Sequence, residues 1–207
     1  MKQKHISLKS FEQKCKPFFE KHKNEIEDIV FFGSRMKGKL NPKDLDILLI
    51  FKKKVNKEIE YQLKNILGLL VFEINQISII SKTEESYKKE TFDAREGVLF
   101  EGYSLIKSKF IASDFGFTSL GLFIYQTNKL SNVQKTKFYY ALNGRGPTKG
   151  MVQELEGIKL SNNIIAVPLE KIEATKKFLN YWELEYKYVP TLIPKRLGKK
   201  SIIGKIY

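Results

Sequence analysis

The chain has 207 residues, enough for one large domain or two small ones, each able to bury a core. Lysine and arginine number 37 against 23 aspartates and glutamates, and 37 − 23 = +14 favours a polyanionic partner such as RNA, DNA or nucleotide, although a surface rich in lysine for its own sake reads the same way. The single cysteine, Cys15, excludes an intramolecular disulfide and a thiolate metal cluster, and the absence of a signal-like run or of ~20 uninterrupted apolar residues predicts a cytoplasmic protein with no membrane association.

In chain order, Leu8, Phe11, Cys15, Phe18 and Phe19 recur at helical spacing among lysines and glutamates. The pattern predicts an amphipathic helix over about residues 7–26, packed on a sheet, with Pro17 placed to interrupt it. His5 and His22 have no partner at metal-ligand spacing and read as surface or capping residues.

Ile29-Val30-Phe31-Phe32 then predicts a short strand that stops at Gly33-Ser34. A helix beginning at Arg35-Met36-Lys37 would aim free backbone N–H groups at an anion. Gly33 allows a phosphate to approach the backbone, Ser34 offers a hydroxyl, and Arg35 and Lys37 add positive charge. Gly38 and Asn41-Pro42 turn the chain into Asp44-Leu45-Asp46-Ile47-Leu48-Leu49-Ile50-Phe51, a run with the character of a buried strand. Period two puts Asp44 and Asp46 on one face, where two like charges call for neutralisation, most simply by a hard divalent cation such as Mg²⁺. A strand-edge Asp-x-Asp after a proline also serves as a solvated turn. The Gly-Ser turn at its fixed distance is what marks this one as a phosphate cradle facing a metal pair, as phosphoryl or nucleotidyl transfer requires.

Phe32-Gly33-Ser34, nine intervening residues and Asp44-Leu45-Asp46-Ile47 together resemble the signature of the DNA polymerase β-like nucleotidyltransferase superfamily, in its minimal form. The resemblance covers about the first half of the chain. It implies an α+β fold in which a mixed sheet is flanked by helices. It implies transfer of a nucleoside monophosphate from an NTP, with ATP the expected nucleotide, to a hydroxyl acceptor, with Mg²⁺ or Mn²⁺ held by the two aspartates and usually a third carboxylate. Lys43 departs from the small hydroxyl residue that many relatives carry ahead of the first aspartate.

Val55, Ile59, Leu63, Ile66, Leu67 and Leu70 predict the next helix, ending near Gly68, and Val71-Phe72-Glu73-Ile74 with Ile77-Ser78-Ile79-Ile80 predicts a strand. A carboxylate inside an apolar strand is costly without a partner. Glu73 is therefore the candidate third metal ligand, in the place where the resemblance implies one, with Glu101 and Asp93 in reserve. Residues 83–95 read as a polar helix, and Gly97-Val98-Leu99-Phe100-Glu101-Gly102 as a return to strand or turn that closes the catalytic domain, assigned to residues 1–109.

From Phe115 onward aromatics become dense. Gly144-Arg145-Gly146-Pro147-Thr148-Lys149-Gly150 reads as a basic turn between a helix ending at Asn143 and a strand pair from Met151 to Val167. Pro168 opens a helix carrying Leu169, Ile172, Phe178, Leu179 and Trp182, and Tyr186 to Val189 forms a last strand. Residues 110–194 are thus assigned to a smaller α+β accessory domain and 195–207 to a basic tail. Interleaved aromatic and basic groups fit a single-stranded nucleic-acid surface, with Arg145, Lys149, Lys195 and Arg196 as candidate contacts. The same spacing also fits a core, or a module that docks a partner.

The resulting expectation is a nucleotidyltransferase in which Asp44, Asp46 and Glu73 are catalytic and metal-binding and Gly33, Ser34, Arg35 and Lys37 bind the nucleotide. The acceptor stays open among an RNA 3′ end, slightly favoured by charge, a protein hydroxyl and a small molecule. The alternative is an inactive protein of the same fold that binds nucleic acid or a partner. Oligomeric state is not legible.

Overall fold

The computed structural model describes residues 8–39, 44–69, 76–89 and 92–197. The chain divides into two compact units, residues 1–114 and 115–207.

The first unit begins with α1 (Leu8–His22), which buries Phe11, Cys15 and Phe18. Pro17 sits inside α1 without ending it. Its ring removes one backbone donor on the exposed side, where water can serve the carbonyl of Gln13 left without a partner, so the expected interruption does not occur. Two antiparallel strands follow, β1 (Ile26–Phe32) and β2 (Asp44–Phe51), with a 3-10 turn at Ser34–Lys37 after β1. Asn56 caps α2 (Lys57–Gly68), its side chain accepting from the amides of Glu58 and Ile59. The strand β3 (Gln76–Thr83) then pairs parallel to β2.

Beyond β3, the expected polar helix over 83–95 is only the short α3 (Glu84–Tyr87), capped by Thr83. The stretch from Gly97 expected to return to strand or turn is instead α4 (Arg95–Glu101). Ala94 and Val98 are four residues apart on one face and join the core with Phe92, a helical period that outweighs the local apolar run. Gly102 caps α4, its amide donating to the Val98 carbonyl, at a place where a Cβ would collide with that same carbonyl. Short strands β4 (Tyr103–Ser104) and β5 (Lys109–Phe110) complete a mixed sheet ordered β3-β2-β1-β4-β5.

Both faces of this sheet are covered. On one, Phe11 of α1 meets Phe31 edge-on with ring centroids 4.7 Å apart. On the other, Val30, Leu48 and Ile50 pack with Val98 of α4, Phe92 and Ile111. Asp28, only 2% exposed, lies on β1 beside a register irregularity. Its Oδ1 accepts from the Ile29 amide at 2.8 Å and from Ser104 Oγ at 2.7 Å, and its Oδ2 lies 3.5 Å from Lys107 Nζ. Burial still pushes the Asp28 carboxyl above the usual carboxylate range against those three partners.

The second unit is built on an antiparallel sheet that opens with β6 (Phe117–Gln126). The helix α5 (Asn132–Asn143) starts at a Ser131–Gln134 capping box and runs into a hairpin of β7 (Gly144–Arg145) and β8 (Thr148–Lys149). The expected strand pair after Gly150 starts later, since α6 (Met151–Glu154) comes first and the strands are β9 (Ile158–Ser161) and β10 (Ile164–Pro168). A 3-10 turn from Leu169 leads into α7 (Ile172–Tyr181), and β11 (Glu185–Pro194) pairs along all of β6, well past the expected end at Val189. The sheet order is β11-β6-β10-β9. Several of the aromatics are core: Phe138 of α5 sits within 5.9 Å, centroid to centroid, of Tyr125, Phe178 and Trp182.

Candidate functional site

The site begins where β1 runs out. Register places Phe32 opposite Asp46, so the next residue, Gly33, turns directly over the aspartate pair. A Cβ on Gly33 would collide with Asp46 Oδ2 and sit 3.2 Å from its Cγ, and the backbone there has φ +89°. Glycine is the residue that satisfies both constraints.

The expected helix after Gly33 is a four-residue 3-10 turn that closes when the Gly38 amide donates to the Arg35 carbonyl at 3.1 Å, with Gly38 in the left-handed region. Ser34, Arg35 and Lys37 all belong to this turn, and Met36 is its buried anchor. The Arg35 guanidinium lies over the Phe11 ring at 5.6 Å, and burial lowers its pKa from the ordinary arginine value. A partly desolvated cation seated on an aromatic ring is held in place before any anion arrives.

Period two along β2 puts Asp44 and Asp46 on one face, with Leu45 buried on the other. Two further side chains converge on this face. Glu101, at the end of α4 and 8% exposed, raises the Asp46 pKa, and Lys37 Nζ lies 3.0 Å from Glu101 Oε2. The Asp46 carboxyl is pushed above the ordinary aspartate value by burial first, then by repulsion from Asp44 and Glu101, with Lys37 opposing. Lys37 thus pairs with Glu101, while Asp44 and Glu101 both repel the Asp46 carboxylate. Chain spacing hides the Lys37–Glu101 pair, which joins residues 64 apart in sequence.

On the neighbouring strand β3, Ser78 stands in register with Asp46 and Gln76 with Asp44. Sequence reading passed over Ser78; the signal was its place as a small polar residue in the run Ile77-Ser78-Ile79. Glu73 lies outside the described residues, as does Lys43. Asp93, the other reserve carboxylate, is described and exposed. Among the described residues no group of three or more His, Cys, Asp or Glu side chains could hold a metal ion. The oxygen-only pair on β2 still fits a small hard cation, because Mg²⁺ is usually held by one or two carboxylates together with substrate phosphates.

The remaining candidates belong to the second unit. Arg145 in β7 lies over the Tyr140 ring at 4.9 Å, Lys149 in β8 is exposed, and Lys195 and Arg196 are exposed in a 3-10 turn at Lys195–Leu197.

The glycine turn, the paired carboxylates and the mixed sheet have the arrangement of a polymerase β-like nucleotidyltransferase domain. Residues 13–101 match the family model described as Polymerase beta, Nucleotidyltransferase. Those residues therefore form a domain of that family's type, and a further α+β region follows it. Comparison with curated proteins finds no match. No helix among the described residues is long and apolar enough to cross a membrane.

Proposed function

We propose that the protein transfers a nucleoside monophosphate from an NTP, ATP by preference, to a hydroxyl acceptor in a divalent-metal-dependent reaction. The observation that carries this reading is the approach of Gly33 to the Asp46 carboxylate, which puts the phosphate-side turn and the acidic pair in one place. An acidic strand that served only as a solvated turn would have no need of that fit.

Asp44 and Asp46, with Glu73 as the third carboxylate, would hold Mg²⁺ or Mn²⁺. When bound, the metal supplies charge neutralisation at the phosphates and lowers the pKa of the attacking hydroxyl. The chain's own groups position the nucleotide. Gly33 leaves room at the backbone, Ser34 donates its hydroxyl, and Arg35 on its Phe11 seat and Lys37 carry the positive charge toward the triphosphate. Pairing with Glu101 keeps Lys37 beside the carboxylates before substrate arrives. An RNA 3′ end is the favoured acceptor on the strength of the +14 net charge, ahead of a protein hydroxyl or a small molecule.

Incubation of the protein with each α-labelled NTP, Mg²⁺ or Mn²⁺, total RNA and cell lysate tests the reading, with Asp44→Ala/Asp46→Ala in parallel. Label on RNA, protein or a small product that vanishes in the double variant establishes the transfer and the acceptor class. Persistent label in Asp46→Ala removes the metal assignment. Absence of label from a folded protein favours a binding module.

A further inference from the structure

The helix α5 buries only Phe138 and Leu142, one turn apart, and leaves the adjacent Tyr139 and Tyr140 54% and 39% exposed. Each ring is attended by a cation: Lys159 Nζ lies 5.2 Å from the Tyr139 centroid and the Arg145 guanidinium 4.9 Å from that of Tyr140. The two rings stand edge to face, 5.7 Å apart. The hairpin that supplies Arg145 also exposes Lys149, and its tip at Gly146 has φ +57° with nothing within 4 Å of where a side chain would begin. The sequence leading into this surface is acid-free: residues 115–153 contain five lysines and arginines and no aspartate or glutamate, 5 − 0 = +5, and the next acidic residues are Glu154 and Glu156, ahead of Lys159.

We propose that Tyr139, Tyr140, Arg145, Lys149 and Lys159 form a docking surface for single-stranded RNA. Exposed aromatic rings held beside cations offer a stacking platform and a phosphate contact at one spot, and the partner that supplies both flat π faces and regular negative charge is an unpaired strand. A duplex hides its base faces, and an acidic peptide has charge without them. Unpaired bases in loops and 3′ ends are characteristic of RNA, which selects it over DNA. The planar guanidinium of Arg145 adds a second flat surface next to Tyr140. This goes beyond the transferase reading: the surface belongs to the second unit and its binding does not require the aspartate pair.

The test is a binding titration of the full chain with a labelled oligouridylate, the matching DNA strand, an RNA duplex and polyglutamate, at several salt concentrations. Tyr139→Ala/Tyr140→Ala should weaken RNA binding by about tenfold or more while leaving the salt dependence unchanged. Tyr139→Phe/Tyr140→Phe should keep the affinity, since stacking does not use the hydroxyls. Arg145→Ala/Lys149→Ala should reduce the slope of log affinity against log salt by about 1.4. Asp44→Ala/Asp46→Ala should bind like the wild type even if it transfers nothing, which separates this inference from the transferase reading. Equal or tighter binding of duplex, DNA or polyglutamate, or full RNA affinity in the folded double-alanine tyrosine variant, overturns the proposal.

Discussion

Gly33 and Asp46 are fitted to each other across the join of β1 and β2: a side chain at residue 33 would occupy the space of the Asp46 carboxylate. Two penalties therefore fall on Gly33→Ala. A φ of +89° with ψ −164° is a conformation that glycine alone adopts freely and that costs an L-residue about 1 to 3 kcal/mol, and the new methyl must displace the aspartate. The expected outcome is a modest drop in melting temperature with nucleotidyl transfer reduced about 100-fold, because a displacement of about an ångström at the reacting centre is that costly. Asp46→Ala in the same background should abolish the residual transfer. If Gly33→Ala keeps full turnover, the fit has no part in catalysis.

If Arg35 binds the nucleotide as proposed, its contact with Phe11 ties that binding to the first helix. Phe11 is wholly buried between α1 and β1, and its ring is also the seat of the guanidinium. Phe11→Leu keeps most of the apolar volume, so the fold should lose only about 1 kcal/mol. The ring beneath Arg35 is gone, however, and the KM for NTP should rise several-fold with kcat nearly unchanged. Steady-state kinetics read the split, and a fall in kcat at constant KM would place Arg35 elsewhere in the reaction.

Asp28 gives the first unit a pH dependence with a definite sign. Burial raises its folded carboxyl pKa above the unfolded value of 3.8, so the folded state binds the proton more tightly. Below 3.8 the group is protonated in both states and its contribution is fully favourable; that stability is lost as pH rises through the raised folded pKa. Asp28→Asn keeps an oxygen for the Ile29 amide and the Ser104 hydroxyl and cannot ionise. Denaturant melts across the acidic range should show the variant free of this fall in stability between the two pKa values. A wild-type and variant difference that grows toward low pH instead would reverse the assignment.

Cys15 is the simplest probe of the same core. Burial raises its thiol pKa to about 12, from 9.0, and the side chain is fully inaccessible. A thiol reagent at mildly alkaline pH should label it only at the rate of unfolding of α1. Rapid labelling of the native protein would mean that α1 opens readily.

The Gly33 and Asp44–Asp46 motif is legible because its constraints are local. Gly33, the strand ending at Phe32 and the period of Asp44 and Asp46 are all set by short-range stereochemistry, as was the amphipathic face of α1. The helix after Gly33 was over-read, since a turn of four residues carries too little sequence to separate a 3-10 turn from a helix start. At Gly97 to Glu101 the apolar run outweighs, in local reading, the four-residue spacing of Ala94 and Val98, and strand or turn is expected where α4 forms. Glu101 entered only as a reserve carboxylate, because its place beside Asp46 depends on how α4 packs on the sheet. The long pairing of β11 with β6 is equally non-local, and β6 itself gave no clean alternation, being buried at Ser119, Leu120 and Gly121 in succession.

The Lys37–Glu101 pair is where tertiary packing adds most to the site, and a double-mutant cycle measures it. Lys37 Nζ is 3.0 Å from a carboxylate that is largely buried, and the same lysine opposes the crowding at Asp46. Lys37→Ala leaves Glu101 buried without its counter-charge and removes the group that holds the Asp46 pKa down. Glu101→Gln instead removes one of the repelling charges and leaves Lys37 beside the aspartates. The lysine variant should therefore lose more stability than the glutamine variant, by about 1 to 3 kcal/mol, since an uncompensated buried polar group bears the whole desolvation cost. The double variant should recover part of that loss, with a coupling of about 0.5 to 3 kcal/mol. Mg²⁺ should raise the melting temperature of Lys37→Ala more than that of the wild type, because the cation then neutralises carboxylates that the lysine no longer serves, and should leave Asp44→Ala/Asp46→Ala unmoved. Additive single effects together with an indifferent response to Mg²⁺ would mean that Lys37 and Glu101 form an ordinary surface ion pair with no electrostatic bearing on the aspartates.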